Sequence, residues 1–549
     1  MSRPCAFFGL FILGVSFFAL NASMAIRYAH AQGELPPPLH ERIDREIETR
    51  AGGPVAEPAN DAEFFRRVSL DLAGMIPTAD EAQAFAADPS PGKRSQVIDR
   101  LLASPEFGRR MQEAFSAMLL ERRAGSPVAD AEWNRFLRDS FHANKPWDQL
   151  VRELLFADDS DALKPARKFL SVAGRDKNPH QLTQDVARLL LGRSIMCAQC
   201  HDHPTVDDYS QAEYFGLYSY LQDKPEQAKS EFESVFVAGK KETFPRLPGK
   251  EPVTIPVFMK DQAEQAKAFR PRLLLARDLP TADNPLFVRN SVNRFWFLML
   301  GRGLVHPLDL DHAGNPPSHP ELLALLAQDF AAHRFDVKYL LKEIALSRVY
   351  QRSSRLPTGV PVDSAGPTTY RVFNPKPLSP EQLAWSMLRA TGNQPRFEQA
   401  RTPEKMEFGW YNYINGRIAT PPANVPEVLD LFVGVFGNPP GEPEMEFNPS
   451  MGQALFVLNE RLVLQWLEPR DGNLAAQLRS ITDRDERIRA AHWAVLGRAP
   501  TASDLAIAAE FVTPAVTPAT TATTAAATDQ LWTDYVWALL ASDEFRMNH

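Results

Sequence analysis

Residues 64–81 read FFRRVSLDLAGMIPTADE, and this segment shows the pattern that dominates the chain. Apolar residues at three- and four-residue spacing predict a helix that Pro77 stops. Thr78 and Glu81 then have capping-box spacing, because each side chain can accept the backbone amide of the other residue. Similar helical periodicity recurs over most of the sequence. We therefore predict a mainly α fold.

The same helix–turn–helix pattern returns near the C terminus. GRAPTA at 497–502 repeats the Gly-x-x-Pro-Thr-Ala of residues 74–79, and LLASDEF at 539–545 repeats LLASPEF at 101–107. We expect both ends of the chain to use one structural unit. The extra spacing in the second copy falls in the Thr-, Ala- and Pro-rich run 513–528, which is expected to be an inserted low-complexity loop.

Composition excludes several classes of protein. The chain has 549 residues, 44% hydrophobic and 23% charged, which is typical of globular proteins and argues against disorder and against a multi-span membrane protein. Its net charge of −8 gives no electrostatic reason to bind nucleic acid. Only 3 cysteines occur, so a disulfide-rich scaffold is excluded.

The N terminus has the layout of a secretory signal peptide. Arg3 precedes an apolar run over 6–20, and Ala29-His30-Ala31 provides a small-x-small cleavage site. We predict a signal peptide at 1–31 and export to the periplasm or the cell surface. An uncleaved leader is the alternative, and it is the only membrane contact that the sequence predicts.

The pattern along the chain predicts two helical domains joined by a linker with a small β insertion. The β-like runs of the insertion are Ser234–Val237 and Val253–Met259. The predicted regions are an extended lead-in at 32–60, a first helical domain at 61–221, the linker or β insertion at 222–270, and a second helical domain at 271–549.

Cys197, Cys200 and His201 form the sequence CAQCH, the arrangement used for covalent haem attachment. Each thiol adds to a vinyl group at the porphyrin edge, and the histidine provides an axial ligand to iron. A helix predicted over Leu182–Ile195 leads into the motif. Export agrees with this hypothesis, because such attachment takes place outside the cytoplasm. Met259 is a candidate for the second axial ligand.

Two alternatives remain open for the same motif. Cys197, Cys200, His201 and His203 are four donors of the types that zinc prefers, although their spacing is unusually compact for a zinc site. A simple disulfide between Cys197 and Cys200 is the second alternative, since exported thiols tend to oxidise.

A second polar cluster occupies the loop at 306–319. Asp309, Asp311, His312 and His319 could hold a hydrolytic metal or supply general acid and base groups. A metal-assisted hydrolase acting on an extracellular polymer is therefore an alternative function. The structural alternative is a polar loop whose carboxylates pair with nearby arginines. The helix that follows is expected to have Ser318 as its N-cap.

Three segments together resemble a known family. They are residues 65–78, the segment CAQCHDHP at 197–204, and the run at 284–323, which contains NPPSHPELL. They resemble the secreted two-domain proteins of planctomycete bacteria, in which a cytochrome-associated domain of unknown function precedes a second domain of unknown function. The resemblance spans most of the mature chain.

The resemblance implies an exported protein without a settled enzymatic activity. The Cys-x-x-Cys-His motif of the family corresponds to Cys197, Cys200 and His201 in this chain. The chain departs from the family pattern after Gly-Leu-Val, where His306 stands in place of an acidic residue. We expect no separate cytochrome c domain upstream, so the electron partner is another protein or the motif itself holds the haem.

The leading hypothesis is an exported protein that binds c-type haem and has a redox or electron-transfer role. Its partner would be a redox protein or an extracellular polymer. A scaffold role in a cell-surface complex is a third hypothesis, which the terminal repeat and the 46 prolines favour.

Overall fold

The computed structural model describes residues 36–157, 160, 162–221, 246–250, 271–361, 365–399, 422–444, 450–512 and 521–549. The predicted leader, both predicted β-like runs and Met259 lie outside these residues. Within them, no helix is both long enough and apolar enough to cross a membrane.

The fold is mainly α-helical, as predicted. The first half of the chain contains α1 Leu39–Arg50, α2 Asp61–Ala73, α3 Ala79–Ala87, α4 Lys93–Ala103, α5 Pro105–Leu120, α6 Asp130–His142, α7 Trp147–Leu155, α8 Lys168–Ser171, α9 Pro179–Leu191 and α10 Gln211–Leu221. Short 3-10 turns cover Lys164–Arg167, Val172–Lys177 and Met196–Gln199.

The second half continues in the same style. Its helices are α11 Pro271–Asp278, α12 Pro285–Leu300, α13 Pro320–Ala332, α14 Val337–Leu346, α15 Arg348–Gln351, α16 Pro380–Ala390, α17 Gln394–Gln399, α18 Val425–Phe436, α19 Met451–Asn459, α20 Arg461–Trp466, α21 Leu474–Ser480, α22 Arg484–Val495, α23 Ala502–Phe511, α24 Thr521–Ala541 and α25 Asp543–Arg546. In the described residues the strands are β1 Lys376–Pro377 and β2 Met547–Asn548, which pair antiparallel with Lys376 opposite Asn548.

The side chains pack into two hydrophobic cores. The first runs from Leu39 to Phe373, and the second is built from residues 378–545 together with Leu70, Met75 and Ile76. The predicted division at 222–270 therefore does not coincide with the division between the cores. The physical reason is that α12 packs against α9, where the side-chain amide of Asn290 donates to the carbonyl of Leu189 at 2.9 Å.

Helix α2 joins the two cores and the C terminus. Its residues from Phe64 to Ala73 are all buried. Arg67 donates to the carbonyls of Tyr350, Arg352 and His549 at 2.5, 2.8 and 3.1 Å. Its neighbour Arg66 donates to the carbonyls of Val495 and Phe545 at 3.3 and 2.8 Å. Two buried guanidinium groups on one helix therefore satisfy backbone acceptors from distant parts of the chain.

The predicted repeat is confirmed. Gly74 and Gly497 both end a helical segment in left-handed backbone, with φ of 76° and 68°. Thr78 and Thr501 each form a capping box with the residue three positions later. The two copies also touch, because α3 lies against α22.

Two local predictions are wrong. Helix α24 begins at Thr521, inside the run expected to be a loop, because the segment after the last proline consists of Ala and Thr, and Ala is the strongest helix former. The N-cap of α13 is His319 and not Ser318, whose backbone amide instead donates to Leu304 O at 2.8 Å.

Candidate functional site

The CxxCH motif lies in a tight turn between α9 and α10. Helix α9 ends at Leu191, earlier than predicted, because Gly192 adopts a left-handed φ of 71°. Ala198 is fully buried and anchors the turn, while Cys197 and Cys200 are exposed. Within the described residues, neither thiol forms a disulfide. The turn therefore presents both thiols to solvent from one short segment.

The two histidines of the motif differ in their hydrogen bonding. Nδ1 of His201 lies 2.8 Å from the carbonyl of Asp202, so this nitrogen must donate. In neutral His201 the lone pair is then on Nε2, the arrangement typical of a metal-ligating histidine. Nδ1 of His203 instead accepts from the amide of Thr205 at 3.3 Å, which places the proton of neutral His203 on Nε2.

Hydrogen bonds hold the loop around the motif in place. The Asp202 carboxylate accepts the amide of Gln211 at 2.8 Å, at the start of α10. The amide of His203 donates to the carbonyl of Tyr209 at 2.9 Å. Arg193 donates to Glu213 at 3.1 Å. The loop that carries the exposed motif is therefore fixed from both sides.

The two polar segments that the sequence analysis treated separately lie together. The amide of Asp311 donates to Gly192 O at 2.9 Å, and the amide of Ala313 donates to the Asp208 carboxylate at 2.8 Å. A Cβ atom at position 192 would lie only 3.0 Å from Oδ1 of Asn290. Glycine at this position therefore leaves room for Asn290 to pack closely against the backbone. No local sequence signal indicates this contact.

Aromatic packing continues the same junction. The ring of Tyr209 lies 5.8 Å from His203 and 5.4 Å from His312, edge-on to both. Nδ1 of His312 accepts from the amide of Gly314 at 3.1 Å, as Nδ1 of His203 accepts from Thr205. His312 therefore belongs to the packing beside the motif.

The carboxylates of the second loop pair with arginines. Asp309 is buried and forms ion pairs with Arg294 and with Arg188, the latter at 3.2 Å. Asp311 pairs with Arg289 at 3.0 Å. This is the arrangement that the structural alternative predicts. Among the described residues, there is no group of three or more His, Cys, Asp or Glu side chains that could hold a metal ion.

A buried charge network lies beneath this loop, and the sequence analysis did not identify it. Asp185 is 1% exposed and accepts from Arg175 at 2.7 Å and from Arg123 at 2.6 Å. Burial raises the pKa of Asp185, but the surrounding arginines outweigh that effect and lower it to about 2. The full network comprises Glu121, Asp185, Asp309, Arg123, Arg175, Arg188 and Arg294.

The candidate catalytic residue His319 is buried beside Tyr370. It is 3% exposed, its ring is edge-on to Tyr370 at 5.5 Å, and its Nε2 has no hydrogen-bond partner among the described residues. Burial lowers the pKa of His319 to about 4, with a smaller contribution from the charge of Arg50 and an opposing one from Glu321. The buried imidazole is therefore neutral at ordinary pH.

His319 should make the protein less stable in acid. Between its ordinary pKa of 6.5 and its folded value of about 4, the unfolded state binds the proton and the folded state does not. The free energy of unfolding should therefore fall as pH drops through this window, by at most about 3 kcal/mol. Denaturant unfolding at several pH values measures this effect. The free energy of unfolding should change less steeply with pH in His319→Phe than in wild type.

Equal slopes for wild type and His319→Phe would show that His319 does not control acid stability.

Fold and site define a mainly α-helical protein whose exposed CxxCH turn is fixed against a second polar loop. Residues 40–226 match the family model PSCyt2, described as "Protein of unknown function (DUF1549)", and residues 271–512 match PSD1, described as "Protein of unknown function (DUF1553)". The chain belongs to the two-domain family of unknown function in which these domains follow one another. No curated protein and no solved structure matches it.

Proposed function

We propose that this protein is exported, holds a c-type haem covalently through Cys197 and Cys200, and passes electrons to a redox protein partner. The observation that carries the proposal is the turn itself. Two exposed thiols that form no disulfide within the described residues lie in one short segment with a histidine whose Nδ1 donates a hydrogen bond. The leader predicted at 1–31 favours export.

The thiols are accessible for covalent attachment. Cys197 and Cys200 flank buried Ala198, so the backbone of the turn is fixed while both sulfur atoms face solvent. In c-type attachment each sulfur forms a thioether to one vinyl carbon of the porphyrin, and the thiol proton goes to the other carbon. A bound haem would supply a centre that accepts and releases one electron.

His201 is the residue suited to ligate iron. Its Nδ1 donates to the carbonyl of Asp202, and this bond sets both the tautomer and the ring orientation. The Asp202 side chain is itself fixed by the amide of Gln211. The chain therefore holds the imidazole in the ligating form before any cofactor arrives.

One exposed apolar side chain adjoins the motif. Met196 directly precedes Cys197 and is 60% exposed. Burial of this side chain against a porphyrin face would be favourable.

His203 argues against the zinc alternative. A zinc site at this motif needs His203 as its fourth protein ligand. Nδ1 of His203 already accepts a backbone hydrogen bond, and its Nε2 then carries the proton. Zinc binding would require this bond to break, whereas haem attachment leaves it in place.

The proposal is tested by expressing the full chain together with a haem-maturation system. Wild type should retain haem after denaturing electrophoresis and show a Soret band. Cys197→Ser/Cys200→Ser should retain none. His201→Ala should keep the covalent haem but show an altered spectrum, because it loses the axial ligand. His203→Gln is the matched control and should behave as wild type.

Wild-type protein that folds but carries no covalent haem would overturn the proposal. A stoichiometric zinc content that disappears in His203→Gln would favour the zinc alternative instead.

A further inference from the structure

A cavity of about 210 Å³ lies between the two family domains. The PSCyt2 side of its wall comes from α5 and α9. The PSD1 side comes from α12, the segment 376–382 and residues near Glu444. The cavity is distinct from the CxxCH turn, none of whose residues lines it.

Arg110 on α5 brings an unpaired positive charge to this cavity. It is only 5% exposed, and its buried Nε has no hydrogen-bond partner among the described residues. In the described part of the chain, no acceptor pairs with its guanidinium group. Arginine stays protonated in proteins, so a buried guanidinium without a partner is costly.

The other cations of the cavity wall already have partners. Lys376 pairs with Asp71 at 2.7 Å, Arg188 with Asp185 at 3.0 Å, and Arg294 with Asp309. Among the cationic side chains that line the cavity in the described residues, Arg110 is therefore the one left for a ligand.

The acids whose charges act on Arg110 form no hydrogen bond or ion pair with it in the described residues. Its pKa is lowered by burial, which outweighs the charges of Glu113, Asp71, Glu381 and Glu444. Oε1 of Glu113 accepts from the indole of Trp385 at 2.9 Å, while its Oε2 is buried without a hydrogen-bond partner among the described residues. Glu381 and Glu444 both pair with Arg122.

Glycine at position 74 makes room for this arginine. A Cβ at Gly74 would lie 3.0 Å from Cδ of Arg110, closer than normal packing allows. The left-handed φ of Gly74 also favours glycine. The side chain of Arg110 is therefore held closely against Gly74 at the wall of the cavity that it lines.

Three carboxylates also line the cavity, and each is paired: Glu121 with Arg188, and Glu381 and Glu444 with Arg122. Most of the other lining residues are apolar. The larger apolar side chains among them are Met118, Leu189, Phe297, Leu298, Leu308, Leu378 and Phe436. A buried cation beside apolar walls is complementary to a ligand with an anionic head and an apolar body. We propose that this interdomain cavity binds a small organic carboxylate, whose carboxylate pairs with Arg110 and whose apolar part contacts these walls.

Isothermal titration calorimetry on the full chain tests this proposal with matched pairs of probes. Octanoate and benzoate should bind wild type, and octanamide and benzamide should bind at least tenfold more weakly, since the amides lack the charge that Arg110 would pair with. Arg110→Met should lose this discrimination, whereas Arg110→Lys should keep part of it. Arg135→Met, an exposed position on α6, is the control and should bind as wild type.

Thermal unfolding provides the second measurement. Arg110→Met removes a buried charge that has no partner, so its unfolding temperature without ligand should be no lower than that of wild type. Octanoate should raise the unfolding temperature of wild type but not of Arg110→Met.

Three results would overturn the proposal. They are equal binding of carboxylates and amides by wild type, unchanged carboxylate binding by Arg110→Met, and binding of inorganic phosphate without binding of either carboxylate. If Arg110→Met fails to fold, the wild-type comparison of acids with amides and the Arg110→Lys variant still decide the question.

Discussion

Asp185→Ala should lower the free energy of unfolding by about 3–5 kcal/mol, the cost of breaking a buried ion pair from one side. Asp185 is almost fully buried and pairs with Arg123, Arg175 and Arg188. Its loss would leave Arg175, which is 0% exposed, without its only carboxylate partner among the described residues. The low pKa of Asp185 reflects the same stabilisation of its charged form.

Equilibrium unfolding in denaturant measures this effect. Asp485→Ala is the matched control, because Asp485 pairs with Arg484 on the surface and such pairs contribute little, about 0–1 kcal/mol. A loss below about 1 kcal/mol in Asp185→Ala would show that the buried network does not stabilise this region.

Arg67→Met should also be strongly destabilising, by at least about 3 kcal/mol, because each buried acceptor left without a partner costs about 1–3 kcal/mol. Arg67 is 0% exposed and donates to the carbonyls of Tyr350, Arg352 and His549. Its guanidinium group also lies 3.7 Å from the centre of the Phe373 ring. Methionine fills part of the space but provides no donor.

Hydrogen exchange identifies where this loss acts. Exchange in Arg67→Met should be faster at the amides of Lys376, Leu378, Met547 and Asn548, because Arg67 donates to His549 next to this strand pairing. Arg45→Met, at an exposed site on α1, should change neither stability nor exchange. Unchanged exchange at 547–548 in Arg67→Met would contradict the role assigned to α2.

Local features of the fold could be predicted from the sequence because they depend on neighbouring residues. The capping box at Thr78 and its repeat at Thr501 follow from short-range geometry. The predicted stop of the helix before Thr78 is too late, because Gly74 ends this helix in left-handed backbone before Pro77 is reached. The partition into cores could not be predicted in this way. Helical periodicity identifies an apolar face, but it does not say that α12 packs against α9 instead of against its own half of the chain.

The candidate site shows the same limit. The CxxCH motif was evident in the sequence, but the difference between His201 and His203 depends on backbone atoms that only the structure places. The contact between Gly192 and Asp311 joins residues more than a hundred positions apart. For Arg110 the informative feature is the lack of a partner, and no sequence pattern records that.

The central proposal is a haem attached at Cys197 and Cys200. The most direct test is the mass of the proteolytic peptide that contains both cysteines, from protein purified from the organism that makes it. The proposal predicts one peptide carrying both cysteines and the mass of one haem, with neither thiol open to alkylation. A peptide with two alkylatable thiols, or with a disulfide between them, would contradict it.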